Sequence, residues 1–168
     1  IKGQYAALLP NAFFDYQFAP SVRLDMDYST ELNVPTLIQL QPTINNSNPL
    51  SIYKGNPDLR PEYLHAASLS YMNYNAYNFS MFFASVRFGY NQHKITEALT
   101  IDSSLVRLYT AVNTKYETNV STRIEYGTPL RPLPISGKIV AKLNYAEGFA
   151  LVNNRSNTTK RPAYSLNL

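Results

Sequence analysis

Apolar and polar residues alternate along most of this chain with a period of two. The clearest run is Val106 to Gly127. Val106, Leu108, Thr110, Val112, Tyr116, Val120, Ile124 and Tyr126 fall on one face. Arg107, Asn113, Lys115, Glu117, Arg123 and Glu125 fall on the other, and every charge in the run is there. A helix, with a period of 3.6, would mix these sets. Val22, Leu24, Met26 and Tyr28 repeat the pattern, as do Ala67, Leu69 and Tyr71, and Ile135 through Tyr145. Phe79, Met81 and Phe83 lie one step out of phase with Val86, Phe88 and Tyr90. Such a slip predicts a β-bulge near Phe82 to Ala84.

The pattern predicts seven strands, at roughly 8–18, 20–32, 63–75, 77–97, 105–127, 134–148 and 160–168. Strands of globular proteins usually run 3–10 residues. A strand of about 22 residues would span roughly 75 Å, far taller than a small soluble sandwich. Crossing a bilayer takes only about 9–11 strand residues. Short turns are expected near Ala19-Pro20, Asn75-Ala76 and Gly127 to Pro134, and longer loops at 33–62, 98–104 and 149–159. Short turns at one end and long loops at the other are the layout of an outer-membrane barrel. The expected fold is therefore all-β: an antiparallel up-and-down meander of about seven long strands, part of a large transmembrane barrel.

Composition agrees with that picture. Charged residues make up 15% of the 168, below the quarter usual in soluble domains. There are 14 tyrosines and no tryptophan. Tyr and Thr on the apolar faces suit interfacial girdles better than a dry core. No run of about 18 apolar residues exists for a membrane helix. The net charge of +4 comes from scattered Lys and Arg, so nucleic acid is not an expected partner. Without cysteine there is no disulfide framework or thiolate metal site.

Between the second and third predicted strands lies Gly55-Asn56-Pro57-Asp58-Leu59-Arg60-Pro61-Glu62. Gly55 and Asn56 tolerate unusual φ, while Pro57 and Pro61 fix φ and hold their predecessors extended. The run resembles the GNP-x-L-x-PE signature of TonB-dependent receptors, which follows a long external loop and opens the next barrel strand. Tyr63 opens that strand here. Ile1–Tyr28, Asn91 to Ile95, Thr100 to Asp102 and the Asn-rich 153–159 stretch extend the resemblance over nearly the whole chain. It is closest to the receptors grouped as an outer-membrane protein β-barrel family. SusC-like glycan importers often carry Trp where Pro61 stands.

The resemblance implies a 22-strand barrel in the bacterial outer membrane that imports a scarce nutrient: a siderophore, cobalamin, a glycan or a peptide. The whole of 1–168 then reads as a partial barrel domain, with the plug absent. Implied partners are outer-membrane lipid, the plug and remaining barrel strands of the full-length protein, TonB through an N-terminal part, and a surface lipoprotein. In this motif Gly55, Asn56, Pro57, Leu59, Pro61 and Glu62 are expected to build a structural turn. Tyr53, Arg60 and Arg155 are candidate ligand contacts on the loops, Tyr by stacking and Arg by binding anions. His65 and His93 lack metal-ligand spacing, so no metal and no cofactor are expected. Asp58 and Glu62 flank prolines in a turn, which does not set a glycosidase carboxylate pair. With no Gly-x-Ser-x-Gly elbow either, the expectation is a protein that is not an enzyme. The competing reading is a soluble β-sheet domain with a carbohydrate- or protein-binding face, its apolar side buried against a second sheet.

Overall fold

The computed structural model describes residues 6–48 and 50–168; side chains at 45–47 are outside the description, as are residues 1–5 of the expected first strand pair and Pro49. Eleven strands and one short helix form in chain order. They are β1 (Ala12–Ala19), β2 (Val22–Asn33), α1 (Leu37–Leu40), β3 (Ile44–Asn48), β4 (Ser51–Lys54) and β5 (Glu62–Asn75). Then come β6 (Ser80–Gln92), β7 (Ile95–Ile101), β8 (Arg107–Asn113), β9 (Tyr116–Pro129), β10 (Ser136–Val152) and β11 (Arg155–Asn167).

Seven of the strands make a wall. β1, β2, β5, β6, β9, β10 and β11 lie side by side in that order, each antiparallel to the next. This is the expected meander, and the sheet does not close, as befits part of a barrel. β5 to β11 each supply 13 or more residues wherever they belong to the wall, enough to cross a bilayer with length to spare.

The register settles the faces. Partners across the ladder share a side, so Leu24, Tyr71, Ala84, Ile124, Ala141 and Leu166 form one row. Phe14, Met26, Leu69, Val86, Thr122, Leu143 and Tyr164 form the next. The opposite face carries Asp27, Ser68, Arg87, Ser121 and Asn144 in one row. Leu69 is 45% exposed, Val86 42% and Leu143 51%. A soluble sandwich would cover these side chains with a second layer; among the described residues nothing covers them. The apolar face is therefore the lipid face and the polar face lines the lumen.

Four of the expectations about strand extent change. The expected strand 77–97 is two strands, broken at His93-Lys94, where His93 takes φ 53°. The expected strand 105–127 is likewise β8 and β9, parted at Thr114-Lys115. The two breaks lie opposite one another: the His93 N–H donates to Lys115 O, and the Thr114 N–H donates to Lys94 O. The β7–β8 hairpin thus turns off the wall as one piece, while the side-chain alternation runs on through the break. The expected loop at 149–159 is a tight hairpin. β10 runs to Val152, β11 starts at Arg155, and Asn153 and Asn154 between them have φ of 49° and 59°. Two left-handed central residues match the right-handed strand twist, and Asn adopts that conformation readily. The bulge expected near Phe82 to Ala84 does not form. β5 and β6 pair without a shift from Tyr63↔Gln92 to Asn75↔Ser80. Instead, Met81 and Phe83 stand on the lumen face near the short-turn end, where both faces of β6 are apolar.

Candidate functional site

The residues expected to be loops at 33–62 and 98–104, together with the adjoining ends of the expected strands 77–97 and 105–127, build a second small sheet at the long-loop end. β3 and β4 form one hairpin and β7 and β8 another. β4 runs parallel to β8, from Ser51↔Arg107 to Lys54↔Thr110. β7 joins the top of β10 through Ala98 and Leu99. The loop sheet is therefore stitched to the wall, and the Gly55–Glu62 motif lies at the junction.

Each motif residue has a distinct job there. Gly55 sits where a β-carbon would lie 2.1 Å from Gln41 O, 2.7 Å from Ile38 O and 2.9 Å from Gln39 O. These are backbone atoms of α1 and its C-terminal cap, so only glycine lets the two segments meet. The Asn56 N–H then donates to Gln39 O at 2.6 Å. The Asn56 side chain reaches two ways: Nδ2 donates to Ala111 O of β8 at 3.1 Å, and Oδ1 accepts from the Asp58 N–H at 3.0 Å. The second bond closes a turn over Pro57. α1 itself starts on a capping box of Thr36 and Gln39, which holds this four-residue helix together.

Leu59 is 4% exposed and packs with Leu40 (8%) and Ala111 (1%), with Tyr53 and Ile95 against them. This cluster is a core for the loops, distinct from the wall. The expectation for β8 must be corrected accordingly. Asn113, expected on the charged face of the run, and Ala111 two residues before it belong to the side that packs on the motif. Asn113 is a three-way link: Oδ1 accepts from the Arg60 N–H at 2.8 Å, and Nδ2 donates to Arg60 O at 2.9 Å and His93 O at 2.6 Å.

Glu62 ends the motif and opens β5 on the lumen side, beyond the lipid band. Its carboxylate accepts from the Ile95 N–H at 2.6 Å and Asn91 Nδ2 at 3.1 Å, and Lys94 Nζ lies 3.4 Å away. Burial alone would push the Glu62 carboxyl up. The Ile95 amide, the Asn91 amide and the Lys94 charge together outweigh it and hold the group below the usual carboxylate range. Pro61 before it keeps Arg60 extended, so that both Arg60 backbone groups face Asn113.

The three loop candidates do not converge. Tyr53 is on β4 against the loop core, where burial pushes its hydroxyl up with help from Glu97. Arg60 projects from the motif and lines an open cavity that includes neither of the others. Arg155 starts β11 opposite Val152. His65 stands in the outward row, its Nδ1 2.8 Å from the Tyr28 hydroxyl and its ring against Tyr63 and Tyr90. Asn113, Asn91 and Lys94 escaped the sequence reading. Their only signal is proximity to the break between the wall and loop strands, and that break is hidden by unbroken alternation.

The lumen face has its own electrostatic pattern. Asp15, Asp25 and Asp27 lie on β1 and β2, with Arg23 bridging Asp15 and Asp25. Arg87, Arg123 and Lys142 lie two, three and four strands beyond β2, on β6, β9 and β10, around a shallow hollow with Ser85, Ser121 and Asn144. The wall therefore runs from acidic to basic around its inner circumference.

A one-layer meander with a lipid face, a polar lumen and loops gathered at one end defines a segment of a transmembrane β-barrel. The family model of the outer membrane protein beta-barrel family matches residues 1–168, and the chain belongs to that family. It is a protein of the bacterial outer membrane. No curated protein gave a significant match.

Proposed function

We propose that this chain is the barrel wall and outer mouth of a TonB-dependent receptor importing a scarce nutrient. The observation that carries the reading is the Gly55–Glu62 motif. Its glycine, asparagine and glutamate each fasten a different external segment, so the loops stand as a fixed sheet above the lumen. Preorganised loops suit a receptor, because they hold a dilute ligand without the cost of ordering on binding. The polar, charge-graded lumen suits a wall that faces a plug. TonB and a surface lipoprotein are the proposed partners, through parts of the full-length protein. Binding and transport are the proposed work, with no catalytic step.

The test is made in cells carrying or lacking the full-length gene. Cells are grown with iron-siderophore, cobalamin, glycan or peptide as the limiting nutrient. The proposal expects one class to require the gene and its uptake to stop when a protonophore collapses the proton-motive force. Uptake that persists without that force, or growth indifferent to the gene on all four classes, overturns it.

A further inference from the structure

We infer that the outer face of the wall carries a binding site for a phosphorylated lipid headgroup of the outer leaflet, centred on Arg60 and His93. The upper edge of the lipid band can be followed along the ladder. On β10 and β11 the last apolar outward pair is Tyr145↔Pro162, and Glu147↔Lys160 stands one row beyond. On β2 and β5 that same row is Thr30↔His65, and one row beyond it the outward face carries Leu32↔Tyr63. Tyr28, Tyr63, Tyr90 and Tyr116 stand on the outward face around this level, an aromatic girdle of the kind that marks a membrane–water interface. Leu32 and Tyr63 thus lie at the bilayer's outer interface.

At that level there is an open cavity of about 540 Å³. Leu32, Tyr63 and Gln92 line it in one row of the ladder, Arg60 and His93 line it beyond the strand ends above that row, and Ala6 completes it. The Tyr63 hydroxyl donates to Leu8 O, bridging β5 to the segment before β1 and closing one side. The site is amphipathic in the sense a lipid demands: apolar below, cationic and hydrogen-bonding above. The Arg60 backbone is held in place by bonds from both its groups to Asn113, which fixes where its side chain starts. The Arg60 guanidinium makes no ion pair among the described residues, and His93, whose backbone is left-handed, lines the same cavity. The neighbouring carboxylates do not compete. Glu31 and Glu62 belong to the lumen face of β2 and β5. A planar guanidinium presented outward at this depth matches a phosphate, while acyl chains would lie down the rows below Leu32.

The test uses the full-length protein, folded in a maltoside detergent and examined by native mass spectrometry. Three probes are titrated: lipid A with its phosphates, the same acylated disaccharide without them, and inorganic phosphate. The proposal expects the phosphorylated lipid to bind at least about tenfold more tightly than the dephosphorylated one, the worth of one charge-assisted contact. Arg60→Gln with His93→Asn should abolish that difference, and Arg155→Gln should leave it intact. Asparagine keeps the left-handed backbone at 93, and Gln leaves the Arg60 backbone bonds in place, so both variants should fold, as heat-modifiable migration will check. Equal affinity for both lipids overturns the proposal, as does full preference in the double variant. Saturation by inorganic phosphate alone would assign the site to a free anion and overturn the lipid source.

Discussion

Replacing Gly55 by alanine should loosen the outer loops without touching the wall. The new β-carbon would meet three backbone oxygens between Ile38 and Gln41, the nearest at 2.1 Å. Backbone cannot rotate away as a side-chain tip can, so α1 must shift. Two contributions are lost. The Asn56 N–H to Gln39 O bond is worth about 0.5–1.5 kcal/mol. Uncovering Leu40 from Leu59 and Ala111 costs about 1.5–3 kcal/mol. Together the loop junction weakens by about 2–4.5 kcal/mol, and relaxation of the short helix favours the lower end. At about 1.4 kcal/mol per tenfold, 2 kcal/mol is a roughly 30-fold fall in hydrogen-exchange protection. The amides to follow are Leu40, Gln41 and Asn56, whose acceptors are Thr36, Leu37 and Gln39. Amides of the β5–β6 ladder should keep their protection, because that ladder needs nothing from α1. Gly127→Ala is the control: the nearest atom to its β-carbon is Gly137 O at 3.9 Å, an ordinary contact. If those three amides in Gly55→Ala exchange within about threefold of the parent rate, the close approach at Gly55 does not hold the loops and the reasoning is refuted.

Three further outcomes follow from the same geometry. Glu62 has a carboxyl held below its ordinary value of 4.5, so its contribution is fully present above that pH and is lost as pH falls through the lower folded value; the protection of the Ile95 amide, its exchange rate divided into the intrinsic rate at the same pH, should fall in acid in the parent and not change with pH in Glu62→Gln, and a parent protection indifferent to acid would count against the anchor. Val86→Arg places a charge on the lipid face beside Leu69 and should cost about 2–4 kcal/mol in equilibrium refolding of the full-length protein into liposomes, while Arg87→Ser, one residue on and facing the lumen, should cost under about 1 kcal/mol; similar costs for both would reverse the assignment of faces. Gly89→Ala would bring a β-carbon to 2.2 Å from Asn119 Oδ1, a side-chain end that can swing aside, so the predicted cost is below about 1 kcal/mol and should vanish in combination with Asn119→Ala; a large cost surviving in the double variant would mean backbone, not the amide, fills that space.

The amino-acid sequence alone marked the seven wall strands, their order and, the phase of β6 apart, which residues share a face, because period-two alternation survives wherever one face of a strand meets lipid and the other water. It also marked Gly55–Glu62 as a rigid entry into β5, since two prolines and a glycine restrict the backbone locally. What it left open depends on contacts between residues far apart. The β4–β8 pairing joins Ser51 to Arg107, and strands of four to seven residues carry too little pattern to announce it. The breaks at His93 and Thr114 are silent because alternation continues while the hydrogen-bond partner changes. Asn153-Asn154 looks the same in a long loop as in a two-residue turn until the pairing of Val152 with Arg155 is known. The role of Gly55 likewise rests on three carbonyl oxygens more than a dozen residues upstream, brought there only when the loops fold back over the barrel mouth. Local patterning decided what each strand is; the tertiary structure decided which loops it holds.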